Sequence, residues 1–157
     1  MNVDQYLSRF NASPVINHTF ETLSELQRLH MQHVPFENLD VMRREPIYLN
    51  LERIYNKIVE RKRGGYCYEV NGLFHWLLKE LGFDATLGAA TVRRPNGVWA
   101  KADTHVVILV KLGNETYLTD VGFGDSNYYP INLDGTEKTD VSGTYKVIQQ
   151  DDQLYDL

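Results

Sequence analysis

The spacing of apolar residues changes near Gly82, and that change constrains the fold of this chain more than any other feature. Before Gly82 the period is helical. Val3, Tyr6, Leu7 and Phe10 share one face of residues 3–10. Leu23, Leu26, Leu29 and His30 do the same over 22–34, where Val34-Pro35 stops the turn. Residues 51–62 carry Leu51, Ile54, Tyr55, Ile58 and Val59, and residues 67–81 carry Val70, Phe74, Leu77, Leu78 and Leu81 before Gly82, a favoured C-cap residue. After Gly82 the segments 85–93, 104–112, 115–121 and 145–149 are rich in β-branched and aromatic residues and are separated by Pro, Gly, Asn and Asp. The pattern predicts an α+β protein: a helical bundle over 1–82, then antiparallel sheet or barrel over 83–157. Asp151-Asp152 reads as a turn and Leu154-Tyr155 as the start of a returning strand, which makes the sheet an incomplete barrel with an open edge. Val141, Val147 and Ile148 then lack assured partners, and self-association or a complementing chain is expected.

With 157 residues and 43% hydrophobic content, the chain can bury a substantial core. The first twenty residues lack a basic start followed by an apolar run, and no stretch approaches the roughly 18 apolar residues of a membrane helix. A soluble, cytoplasmic protein is the expectation. The net charge is −5, and basic residues cluster only briefly, as at Arg61-Lys62-Arg63 and Arg93-Arg94, which argues against a nucleic-acid partner. The single cysteine excludes an internal disulfide and a multi-cysteine zinc site.

That cysteine, Cys67, follows Arg63-Gly64-Gly65 at the expected first turn of a helix. Unpaired N–H groups and the partial positive charge of a helix start favour a thiolate there. The competing reading is a core thiol, since Cys67 falls on the same helical face as Phe74 and Leu78. Farther along, Gly113-Asn114 suits a two-residue hairpin turn. If Leu112 faces Glu115, then Val107 lies opposite Asp120, and His105 is its diagonal neighbour at about 7–8 Å, close enough for a side-chain hydrogen bond. A slip of one residue would separate the two side chains onto opposite faces. Cys67, His105 and Asp120 would then supply nucleophile, base and orienting carboxylate. The sequence does not by itself bring the helix start against the hairpin.

Other candidates carry less. His30 and His33 have the spacing of a metal pair without a supporting carboxylate or histidine pattern, so a packed or solvated helix face is favoured and no metal is expected. His18 and His75 carry no signal. Gly122-Phe123-Gly124 would let a ligand approach the backbone closely, or would merely end a strand. Arg63 and Glu37 both stand at ends of bundle helices. A pair between them would hold the glycine turn, the alternative being a surface salt bridge of little worth.

Four stretches, VPFENLDV at 34–41, RGGYCYEVNGLF at 63–74, THVVILV at 104–110 and DVGFGDS at 120–126, resemble the arylamine N-acetyltransferases in order and approximate spacing. The resemblance implies a helical bundle, a β-barrel and a third α/β lid around a cysteine-protease-like core. It implies a Cys67, His105 and Asp120 triad, and a cleft lined by Phe36, Gly122, Phe123 and Gly124. The implied reaction is ping-pong transfer of acetyl from acetyl-coenzyme A through a Cys67 thioester to an arylamine, arylhydrazine or N-hydroxyarylamine. Acetyl-coenzyme A is then a substrate, and no permanent cofactor is expected. Typical members continue for roughly a further hundred residues, a domain in size, so the lid and the end of the barrel are expected to be missing. The alternatives are an inactive, partner-binding remnant and a cysteine hydrolase or transamidase using the same triad.

Overall fold

The computed structural model describes residues 1–15, 17–124, 127–152 and 154–157; Asp125 and Ser126, the last two residues of the DVGFGDS stretch, lie outside the described residues. Helices occupy the first half: α1 (Val3–Arg9), α2 (Phe20–His33), α3 (Leu39–Met42), α4 (Leu51–Tyr55), which runs into one turn of π-helix (Asn56–Glu60), and α5 (Cys67–Glu80). Side-chain caps set three of the starts. Asn2, Thr19 and Asn50 accept hydrogen bonds from the backbone N–H groups of Gln5, Thr22 and Arg53. Capping therefore starts α2 two residues before its first expected position, and the segment expected as one helix over 51–62 changes hydrogen-bond period at Asn56 and ends at Glu60. The four-residue α3 had no apolar period long enough to be read.

At the end of α5 the N–H of Phe83 bonds to the carbonyl of Leu78 and that of Gly82 to Lys79, a Schellman closure with Gly82 at φ 91°. His18 Nε2–H adds a hydrogen bond to the Leu81 carbonyl at 2.7 Å, so this histidine caps the turn where the chain changes character.

Where an incomplete barrel was expected, the chain forms a four-stranded antiparallel sheet of β1 (Asp84–Ala90), β2 (His105–Leu112), β3 (Glu115–Thr119) and β4 (Ile131–Asn132), with no closed barrel among the described residues. The segment expected as one strand over 145–149 is broken. Its halves belong to separate two-stranded ribbons, β5 (Lys138–Thr139) with β6 (Thr144–Tyr145), and β7 (Ile148–Gln149) with β8 (Tyr155–Asp156). The break falls at Val147, which is buried with Leu118 and Ile131 instead of pairing. Val141 and Ile148, by contrast, are exposed.

Alternation along β2 divides the apolar residues between two clusters. Ile108 and Val110 join Tyr6, Phe10, Leu23, Ile58, Phe74 and Leu77 in one core shared by helices and sheet, while Val107 and Leu109 pack on the other face against the smaller cluster. Inside the larger core His30 is fully buried, its Nε2 2.8 Å from the Tyr6 hydroxyl. Burial, and then the Arg9 charge, lower its pKa to about 3 and keep the ring neutral. His33 instead bonds to Asn11 and the Leu29 carbonyl.

The chain entering α5 is fixed by backbone. Phe36 and Gly65 form a parallel bridge, with Glu37 N–H on the Gly65 carbonyl at 2.9 Å and Gly65 N–H on the Pro35 carbonyl at 3.2 Å. A Cβ on Gly64 would lie 1.8 Å from the Pro35 oxygen. Because that neighbour is backbone, Gly64→Ala is expected to cost at least about 3 kcal/mol, read as a lowered urea midpoint at unchanged m value.

Candidate active site

Cys67 is the first residue of α5 and is buried. Half of a capping box forms at this end: Glu69 Oε2 accepts from the Tyr66 N–H at 2.9 Å, and Tyr66 has no short side-chain oxygen to return the bond. The thiol points to the Thr104 carbonyl, Sγ to O 3.8 Å. Thr104 immediately precedes β2, and its neighbour His105 is the first residue of that strand.

The β2–β3 ladder pairs Leu112 with Glu115 and runs to Ile108 opposite Thr119. Val107 and Asp120 are next in that register, and alternation puts His105 and Val107 on one face. His105 Nε2–H donates to Asp120 Oδ2 at 2.6 Å, with both side chains buried. Burial works against the charged ring, but the Asp120 carboxylate and the Cys67 sulfur prevail, and the pKa of His105 is pushed up to about 9. The ring nitrogen not used by Asp120 is Nδ1, which leaves it for the thiol.

What joins helix to hairpin is Asn71, one turn after Cys67 and fully buried. Its Nδ2 donates to the Val106 carbonyl at 2.7 Å and to Asp120 Oδ1 at 2.8 Å, and its Oδ1 accepts from the Val121 N–H at 2.9 Å. Asp120 Oδ1 also accepts from the Gly122 N–H at 2.7 Å. Sequence reading missed Asn71 although it lies within RGGYCYEVNGLF; a polar residue on an otherwise apolar helix face, at i+4 from the cysteine, was the available signal.

The glycines after Asp120 differ in placement. Gly122 is buried against α5, where a Cβ would stand 2.9 Å from the Cys67 Cα and 2.8 Å from Asn71 Nδ2. Gly124 is exposed, and a Cβ there would meet the Phe36 ring at 3.4 Å. Phe36 stacks on Tyr66 at 5.5 Å between centroids, and Phe123 stands edge-on to His105 at 5.3 Å. Phe36, Tyr66 and Gly124 thus form one neighbourhood beside the Cys67 helix start, with Phe123 on the imidazole.

Arg63 and Glu37 do meet, at 2.7 Å, as part of a larger network. Arg63 also pairs with Asp40 at 2.8 Å, and Lys57 bridges Asp40 at 2.7 Å and Glu69 at 2.8 Å. Hydrogen bonds, from Lys57 foremost and then Arg63, hold the Asp40 carboxyl below its ordinary pKa against burial. Arg9, not singled out by the sequence, donates to the carbonyls of Ile58, His33, Lys62 and Arg63 and so ties three helix ends to the start of the glycine turn.

A family model described as N-acetyltransferase matches residues 19–157. The chain belongs to the arylamine N-acetyltransferase family. A Gallus gallus arylamine N-acetyltransferase, pineal gland isozyme NAT-10, is 36% identical over 155 residues, which cover 96% of this chain and 53% of that protein. The arylamine N-acetyltransferase of Escherichia coli K12 is 36% identical over 154 residues, 96% of this chain and 54% of that one. Among solved structures, the Salmonella typhimurium arylamine N-acetyltransferase superposes with a TM-score of 0.89 at 31% identity, covering 95% of this chain and 55% of that chain. A Bacillus cereus member, described as revealing a unique Cys-His-Glu catalytic triad, gives 0.87 at 32% identity, covering 94% and 59%. In this chain the residue on the histidine is an aspartate, Asp120. The chain spans about half the length of the curated relatives it matches.

Two outcomes follow from the geometry. Asn71→Ala leaves the Val106 carbonyl, the Val121 N–H and one Asp120 oxygen short of partners, and is expected to cost about 2–4 kcal/mol in urea unfolding. The folded pKa of His105 lies above its ordinary 6.5, so its contribution to stability is complete below pH 6.5 and is lost as pH rises through about 9. Relative to His105→Gln, the wild type should lose about 1–3 kcal/mol over that window, and parallel pH profiles would contradict the assignment.

Proposed function

We propose that this chain carries the acyl-transfer centre of an arylamine N-acetyltransferase, with Cys67 as nucleophile, His105 as proton carrier and Asp120 as the carboxylate that fixes the ring. The observation that supports it most is the His105–Asp120 bond at 2.6 Å beside a cysteine at the first position of α5. With Nε2 held by Asp120, His105 Nδ1 takes the thiol proton, and Asp120 stabilises the imidazolium. The thiolate attacks the acetyl carbonyl of acetyl-coenzyme A, and the first-turn N–H of Cys67, which has no acceptor within the helix, faces the developing oxyanion. Collapse breaks the bond to the coenzyme sulfur, which leaves with the proton from His105. An arylamine, arylhydrazine or N-hydroxyarylamine then attacks the S-acetyl cysteine. His105 takes the proton from nitrogen and returns it to the Cys67 sulfur as the amide forms. The first exchange is between two thioesters and nearly balanced, whereas the second ends in a more stable amide, so the covalent route divides one difficult step into two easier ones. Phe36 and Phe123 supply aromatic surface for the amine's ring, and Gly124 leaves room beside Phe36. Gly122 serves by letting the strand end approach Cys67.

The papain-like division of labour, a nucleophile on a helix and its base on a sheet, is the cysteine-protease-like core expected of the family. Cytoplasmic residence fits a reactive unpaired cysteine, and no described helix is long and apolar enough to cross a membrane. A second reading, self-association, draws on the exposure of Val141, Ile148, Leu154 and Leu157 on and near the terminal ribbons. Light scattering would show a concentration-dependent mass under that reading and a constant monomer mass without it.

Incubation with acetyl-coenzyme A followed by intact mass tests the main proposal. A single acetyl adduct is expected in the wild type, absent in Cys67→Ala and formed at least about a hundredfold more slowly in His105→Ala, as loss of general-base help implies. Folded protein without an adduct would refute it. Turnover of the thioester without amine would instead identify a hydrolase.

A further inference from the structure

The basic cluster at Arg61-Lys62-Arg63 belongs to a feature the acyl-transfer centre does not use. A cavity of about 610 Å³ is lined by Asp40, Asn50, Glu52, Arg53, Asn56, Lys57, Arg61 and Arg63, and it contains none of Cys67, His105 and Asp120. Its size is within the range of small-molecule sites. Arg53, Lys57 and Arg61 follow one another at intervals of four along α4 and the π-turn, which aligns three cations on one face. The π-turn shapes this wall directly: the Arg61 N–H reaches back five residues to the Asn56 carbonyl at 2.9 Å. Such turns are frequent where a helix has been adapted to a ligand.

Like charges at this spacing repel unless anions lie among them. Lys57 has its anions, Asp40 and Glu69, and Arg63 has Glu37 and Asp40. Asp40 is therefore already engaged by both cations. Arg53 and Arg61 are exposed, and among the described residues neither has a carboxylate within ion-pair distance. The Arg53 guanidinium is steadied over the Tyr48 ring, 4.7 Å from its centroid. Asn50 accepts the capping bond through Oδ1 and so keeps its amide N–H groups as donors. Against Asp40 and Glu52, the four cations leave the lining positive in a protein of net charge −5.

We infer that this cavity binds a small oxyanion of two or more negative charges, a phosphate ester or pyrophosphate group, between the Arg53 and Arg61 guanidiniums. Guanidinium forks suit the tetrahedral oxyanion, and their weak hydration lowers the cost of binding it. The cavity shares Lys57 and Arg63 with the network that reaches Glu69 in the first turn of the Cys67 helix. The inference stands independently of the acyl-transfer proposal.

Inorganic pyrophosphate titrated into the full 157-residue chain by calorimetry at constant ionic strength tests it. One saturable site with Kd below about 1 mM is expected for the wild type. Arg53→Gln with Arg61→Gln should weaken binding at least about tenfold, each lost charged hydrogen bond being of that order. The ligand-free Tm of this variant should move by no more than a few degrees, because neither side chain forms an ion pair and the exposed Arg53–Tyr48 contact contributes little. Removing two exposed charges elsewhere, Arg94→Gln with Lys146→Gln, should leave affinity unchanged, which separates a site from the general field of the protein. No saturable binding, or equal loss in the two double variants, overturns the inference. Displacement of pyrophosphate by coenzyme A would assign the anion to an acyl donor's phosphates, and simultaneous binding would assign it to a separate phosphate ligand; both outcomes require the site.

Discussion

Everything at the centre of this protein hangs on the side chain of Asn71. It is fully buried, and a buried amide that lost its partners would cost about 1–3 kcal/mol for each unsatisfied group. That penalty makes its three bonds obligatory, and they run to β2, to the chain just beyond β3 and to the carboxylate on His105. Separate the hairpin from α5 and the amide is stranded. Cys67 and His105 are held in one place because Asn71, one turn from the first, is bonded to the strand that carries the second.

A second set of constraints fixes the approach to Cys67. The Phe36–Gly65 bridge leaves no room at Gly64 for a side chain, Arg9 gathers the carbonyls just before it, and Arg63 and Lys57 join the carboxylates of Glu37, Asp40 and Glu69. Exposed ion pairs contribute little singly, whereas a half-buried network of shared partners resists the loss of any one. The same network forms one wall of the arginine-lined cavity. An anion bound there would act on the supports of the helix start rather than on the thiol.

Much of the fold was legible because apolar period and turn chemistry agree locally. The faces of α1, α2 and α5, the end of α5 at Gly82 and the register about Gly113-Asn114 all follow from neighbours within a few residues. Gly113 has φ 62°, as a glycine-first hairpin turn requires. The terminal third was less legible. Segment 145–149 has strand composition, but Val147 is drawn into a cluster with Leu118 and Ile131, and the ribbons on each side of it are only two residues long. At the site, Cys67, His105 and Asp120 could be singled out by residue type and spacing. Arg9 could not, and Asn71 offered only its place on an apolar helix face, because polar residues in helices are ordinarily solvated and the partners of both lie far away in sequence.

The sequence by itself determined where helix gives way to sheet, which residue opens the Cys67 helix, and which histidine and aspartate share a hairpin face, since each depends on short-range period, capping or turn geometry. Tertiary structure alone decided that the helix start meets that hairpin, that Gly122 is buried against it, and that Arg53 and Arg61 border a common cavity. Those contacts are set by filling one core from both halves of the chain and by satisfying a buried amide, and neither requirement is written in any local stretch.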